Sequence, residues 1–250
     1  MIRRNFLTAV MIVWLSAIGV CAETATVRGH VEPEHPTEAK KAGAKGEKKA
    51  IPDTVVWLTP APGSDVQIDS PKPAVPNPKL VQKNKTFEPR VLVVPAGSMV
   101  EFPNRDPFFH NVFSLFEGKR FDLGLYEAGS SRAVRFEGPG ISYIFCNIHP
   151  EMNAVIITVA TPFYAIAEHD GEISITNVPF GRYTMHIWSE GMGPDNGKPM
   201  VKDITVGESS TSFGTIRVPT ANGQHMAHKN KYGRDYDQPK PDSSVYEQNR

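Results

Sequence analysis

Apolar residues in this chain fall in short runs, many with a period of two, and no stretch sustains a helical period. Thr24–Glu32 alternates as a strand does, and Asp53–Leu58 is a brief run of β-formers. From Lys79 onward the runs crowd together: Arg90–Val94, Met99–Phe102, Asn111–Phe116, Ala133–Phe136, Ile141–Phe145 and Ala154–Val159. Pro-Ala-Gly, Pro-Asn-Arg-Asp, Glu-Ala-Gly and Gly-Pro-Gly stand between them, a spacing that predicts a β-sandwich or barrel. A short turn is predicted near 117–128. A third block holds Glu172–Thr176, the turn Pro179-Phe180-Gly181, Tyr183–Trp188, Val201–Val206 and Phe213–Val218, again all β. The fold class predicted is therefore all-β: a Greek-key sandwich plus a second, small sandwich that is discontinuous in sequence if its two halves pair.

The segments between and around these blocks have a different texture. Residues 33–50 are Lys, Ala, Gly and Pro without an apolar period and predict a solvated loop. Pro60, Pro62, Pro71, Pro73, Pro76 and Pro78 predict an extended, irregular path over 59–79. Residues 220–250 are polar and poor in aliphatics, which predicts a disordered tail. The division that follows is 23–70, 79–160 and 161–219, with 1–22 and 220–250 outside the folded parts.

The first 22 residues read as an address. Arg3 and Arg4 precede Phe6–Val20, 15 residues without a charge, which is short of the roughly 20 that a membrane helix needs. Val20-Cys21-Ala22 then supplies a cleavage site before Glu23. An uncleaved anchor is the alternative, disfavoured by length. The prediction is a periplasmic or secreted protein with no membrane span after cleavage. Cleavage also removes Cys21, one of only 2 cysteines. Cys146 is then a lone thiol in an oxidising compartment. It must be buried and inert, paired between chains, or bound to a metal. Lys+Arg and Asp+Glu are both 27, so there is no global electrostatic footprint for nucleic acid, and no such partner is predicted.

The informative run is Phe145-Cys146-Asn147-Ile148-His149-Pro150-Glu151-Met152, with Cys, His and Met at spacing C-x2-H-x2-M between two apolar runs. Upstream, Phe108-Phe109-His110-Asn111-Val112 places another His at a strand start. One thiolate, two imidazoles and a thioether are a soft donor set. They match the trigonal site of two histidines and one cysteine, with a weak axial Met, that holds blue copper. Each residue also has a plain reading: Met152 as core filler, His110 as a satisfied core histidine, Cys146 as a small buried hydrophobe.

Residues 79–160 resemble the cupredoxins, with the short ligand-loop spacing of amicyanin. The strings that carry the resemblance are Arg90-Val-Leu-Val-Val-Pro-Ala-Gly, Val100-Glu-Phe-Pro-Asn-Arg-Asp, His110-Asn-Val-Phe-Ser, Phe121-Asp-Leu-Gly-Leu-Tyr and Cys146-Asn-Ile-His-Pro-Glu-Met. They are similar to periplasmic plastocyanin-like proteins labelled methylamine utilisation proteins. The resemblance implies one type 1 copper held by His110, Cys146, His149 and axial Met152. It implies that Asn111 hydrogen-bonds the ligand loop, that His149 is the electron port, and that redox proteins are the partners. The flanks resemble a carboxypeptidase regulatory-like β-sandwich, through Thr26-Val-Arg-Gly-His-Val, Asp53-Thr-Val-Val-Trp-Leu and Asp170-Gly-Glu-Ile-Ser-Ile-Thr-Asn-Val-Pro-Phe-Gly. That implies a cupredoxin inserted into a sandwich in which 24–60 pairs with 161–219, and it implies no peptidase activity.

The function expected is single-electron transfer between redox partners, without enzymatic bond chemistry. A copper module for storage, delivery or sensing is the second reading, and a non-metal interaction module is the third. A multicopper oxidase needs His-x-His pairs, and the chain has none. A Cys protease needs a third orienting group for the thiol, and structural zinc is ill served by Met. His225 and His228 read as solvated tail residues; His30, His35, His169 and His186 form no cluster. Phe108 and Phe109 read as core or site-wall residues, with an apolar docking patch as the alternative.

Overall fold

The computed structural model describes residues 23–34, 51–115, 118–192, 198–219 and 228–236. The predicted export segment, most of the Lys-rich loop with His35, His225 and most of the tail lie outside the described residues. The described chain forms sixteen strands and one 3-10 turn, Glu190–Met192. The flanks supply β1 (Thr24–Pro33) and β2 (Thr54–Pro60). The middle supplies β3 (Val81–Lys83), β4 (Thr86–Glu88), β5 (Val91–Pro95), β6 (Ser98–Pro103), β7 (His110–Ser114), β8 (Phe121–Tyr126), β9 (Ser131–Phe136), β10 (Gly140–Phe145) and β11 (Asn153–Val159). The last block supplies β12 (Tyr164–Ile166), β13 (Glu172–Pro179), β14 (Gly181–Ser189), β15 (Met200–Val206) and β16 (Ser212–Val218). Among the described residues no helix is long and apolar enough to cross a membrane.

The second sandwich is discontinuous. β1 lies between β13 and β16, and β2 lies between β12 and β14, with β15 beyond. Both N-terminal strands are thus central strands of sheets that the C-terminal block completes. Alternation drives this: on β13, Ile173 and Ile175 are buried while Glu172, Ser174 and Thr176 are exposed. The period then slips by one. Val27 faces Ile175 but Ala25 faces Val178, and Asn177 sits at φ 57. Asn tolerates the left-handed region better than most residues, so this bulge returns Val178 to the core. Val27, Val31, Leu58, Tyr183 and Ile216 share that core.

The middle unit is a sandwich of a five-stranded sheet, ordered β5-β11-β10-β7-β8, against the pair β6-β9. The β3–β4 hairpin joins the edge of β6 through parallel bridges at Lys79–Glu101 and Gln82–Asn104. Leu80, Phe87, Phe102, Phe136, Ile144 and Ile156 fill the space between the layers. Every residue of β11 is buried, because both of its faces are covered. Ala154 and Ile156 face the middle core. Val155, Ile157 and Val159 face Val55 and Trp188 of the other sandwich. An unbroken apolar run is what a doubly covered strand requires.

One local prediction differs. The turn expected near 117–128 contains β8, paired with β7. β8 is an edge strand in which only Tyr126 is buried. Its Asp122 and Gly124 give it the composition of a turn, and edge strands tolerate such residues.

Candidate metal centre

β10 and β11 form an antiparallel hairpin whose last ladder pair is Phe145–Asn153. One step further the Cys146 N–H donates to the Met152 carbonyl at 3.2 Å. The Met152 N–H donates to the His149 carbonyl at 3.0 Å, closing the turn. Successive side chains on a strand point to opposite faces. Phe145 therefore enters the cluster with Trp188, while Cys146 enters the middle core together with Met152. β7 is joined to this hairpin through Phe113 and Phe145, and its first residue is His110.

The result is one cluster. Cys146 Sγ lies 3.7 Å from His110 Nδ1 and 3.6 Å from His149 Nδ1. The ligand atoms of the three residues all lie within 4.8 Å of one another. His110 and Cys146 are fully buried and His149 is half-buried. Met152 is buried in the same cluster as Cys146. The structure thus brings His110, Cys146 and His149 together, with Met152 buried in the same core as Cys146. Phe108 forms a wall, its ring 5.2 Å from that of His110 and 5.6 Å from that of His149. Phe109 points outward, 52% exposed.

The protonation pattern is set by a residue the sequence reading missed. His110 Nε2 is 2.8 Å from Asp106 Oδ2, and Asp106 is itself buried. A carboxylate only accepts, so Nε2 carries the proton and Nδ1 presents a lone pair to the sulfur. The same carboxylate accepts from the backbone N–H groups of Asn84 (2.6 Å) and Lys85 (3.0 Å). Both of those residues have φ 55 in the β3–β4 turn, which is thereby clamped to the site. The D-x-x-x-H spacing of Asp106 and His110 was visible in the sequence, but nothing there showed that the intervening chain brings the carboxylate back onto the ring.

A thiol has one hydrogen and faces two imidazole nitrogens, one of them a fixed acceptor. Burial pushes the Cys146 thiol above its usual range; backbone N–H groups of Asn111, Ile148 and His149 aim at the sulfur and favour thiolate. Burial pushes both imidazoles below theirs, keeping them neutral and their lone pairs free. A cation seated among these donors satisfies all three at once. Metal bonds of about 2.0 Å to imidazole and about 2.3 Å to thiolate, set 120° apart, separate N from S by about 3.7 Å. The observed N···S distances meet that trigonal requirement. The donor set therefore fits a soft metal ion.

Asn111 touches the site through its main chain. Its side-chain Nδ2 donates to Asp122 Oδ1 at 2.7 Å, whereas the sequence reading had it on the ligand loop. Among the other histidines, His30 meets Glu172 at 3.2 Å at the surface, and His186 stacks on Trp57 at 5.2 Å. His169 is exposed. His228 differs from its expectation: its ring stacks on Phe145, with centroids 3.9 Å apart. An aromatic face beside a strand end offers a polar tail something to pack on, and composition alone does not reveal that.

Solved structures similar to the chain are copper proteins. A purple cupredoxin from Nitrosopumilus maritimus is 21% identical, with 33% of this chain and 100% of that one covered at a TM-score of 0.31. A mutant of amicyanin in its Cu(I) form is 17% identical, with 38% and 98% covered at 0.32. A copper-containing nitrite reductase from Thermus scotoductus is 20% identical, with 52% and 28% covered at 0.32. The middle unit is, by its own sheets, an all-β sandwich. No family model and no curated protein matches the chain. The likeness is one of fold alone. What this protein does rests on the donor geometry above.

Proposed function

We propose that this is an exported, mononuclear type 1 copper protein that passes single electrons between redox partner proteins. The observation that carries the reading is the position of Cys146 Sγ, 3.7 and 3.6 Å from two imidazole Nδ1 atoms. Cys146, His110 and His149 would hold the metal, with the Met152 thioether as a weaker fourth donor. Bound there, copper supplies a one-electron couple. The chain's part is to hold mixed soft and borderline donors in a single arrangement, so that little has to move between the two oxidation states. His149 is the half-buried imidazole beside exposed Ile148, and it is the exit for the electron. The export assignment rests on residues 1–22.

The test is a visible spectrum of the copper-loaded protein with voltammetry on the same sample. An intense thiolate-to-copper band near ~600 nm with a reversible wave is expected. Copper bound without a wave makes the protein a carrier or store; no copper uptake leaves a binding module. Asp106→Asn is expected to weaken copper binding by about 10–100-fold, since a partner that orients a ligating His has that effect. An amide must place its NH2 either against the ring N–H and the Lys85 amide or against the Asn84 amide. Chelator competition measures it, and an unchanged affinity removes Asp106 from the account.

A further inference from the structure

Residues 228–236 lie along the outside of the ligand turn and touch it at four places. Tyr236 OH donates to the Cys146 carbonyl at 2.8 Å. The Lys231 N–H donates to Asn147 Oδ1 at 2.9 Å. His228 Nε2 is 3.0 Å from the Pro150 carbonyl and therefore donates to it. The His228 ring lies on Phe145 at an interplanar angle of 29°. A fifth contact is indirect. Lys231 Nζ pairs with Asp122 Oδ2 at 2.7 Å, and Asp122 Oδ1 accepts from Asn111 Nδ2. Asn111 in turn follows His110 on β7, and His110 Nδ1 is 3.7 Å from the Cys146 sulfur.

These contacts are specific to the turn. They take a main-chain carbonyl from the residue that bears the thiol, another from the residue after His149, and a side chain between them. The segment's own fold is small: Asn230 Oδ1 accepts from the N–H groups of Tyr232 and Arg234, which shapes it into a bend that offers its polar groups to the turn. We propose that residues 228–236 are a strap that positions the Cys146–Met152 turn, with Tyr236 and Lys231 as its two positioning residues. The strap acts on the metal through the turn and through the Lys231–Asp122–Asn111 chain, and it rests on the copper reading. With the strap in place the turn keeps the separation its donors need. With the strap released the turn keeps its internal hydrogen bonds, the Asn153 bond to the Glu151 carbonyl and its inner-face contacts, and loses its outer-face ones.

The test compares the full chain with the full-chain triple variant His228→Ala, Lys231→Ala, Tyr236→Phe. In the metal-free proteins, hydrogen exchange at the Cys146 and Met152 amides should be about tenfold faster in the variant, with the Ile144 and Ile156 amides unchanged. In the copper-loaded proteins, loss of copper to a chelator should also be about tenfold faster, and the thiolate-to-copper absorption maximum should move. Unchanged exchange at Cys146 and Met152 overturns the strap, and so does unchanged release with an unmoved maximum. A parent protein that takes up copper without colour defeats the copper reading instead, and the metal-free exchange then decides the strap by itself.

Discussion

Cys146→Ser is expected to remove the visible band entirely. The transition that gives the colour moves charge from thiolate to copper, and a serine hydroxyl has neither the soft lone pair nor an accessible anion. The change replaces one atom in a fully buried position, so far-UV circular dichroism should be unaltered. The three backbone N–H groups that now aim at sulfur would meet a neutral hydroxyl, a weaker acceptor than thiolate. Copper affinity should therefore fall by more than the about 10–100-fold that follows loss of an outer partner, and preferentially for Cu(I), which prefers sulfur. A retained band, or an affinity within a factor of a few of the parent, would mean that the sulfur is a core residue and the imidazoles bind alone.

Much of that centre could be read from the chain before its structure, for a physical reason. Three of the four candidate donors sit within seven consecutive residues, at the tip of one hairpin, so they are near one another whatever else the chain does. His110 was legible as a histidine opening an apolar run. The strands were legible because alternation on β13 and the doubly covered β11 leave opposite but equally clear patterns. What could not be read depends on contacts between distant segments. Asp106 acts through a turn that two left-handed residues, Asn84 and Lys85, press onto its carboxylate. β8 has the composition of a turn and is a strand because β7 offers it an edge. Residues 228–236 have no apolar period of their own and take their order from Phe145 and the carbonyls of the ligand turn.

The interface between the two sandwiches leads to the second large effect, at Trp188. This residue stands next to last on β14 of the flanking sandwich, is fully buried, and packs with Phe113, Tyr143, Phe145 and Val155 of the middle unit. Its indole N–H donates to the Tyr143 hydroxyl at 3.2 Å. Arg90 and Glu190 form an ion pair across the same boundary, but both are partly exposed and such a pair contributes little. The apolar contact therefore dominates the joint. Trp188→Ala leaves a cavity that two packed sheets cannot close, and it should cost about 3–5 kcal/mol of stability. Tyr143→Phe removes the indole's acceptor and should cost about 1 kcal/mol. Denaturant unfolding followed by circular dichroism measures both. The functional consequence follows from alternation on β10. Tyr143 and Phe145 face the joint, while Ile144 and Cys146 face the middle core. A strand freed on one side should hold its thiol less firmly on the other, so Trp188→Ala should also speed copper release. A loss below about 0.5 kcal/mol, within the range of ordinary surface changes, would show that the two sandwiches are merely tethered and that the Cys146 strand owes nothing to its host.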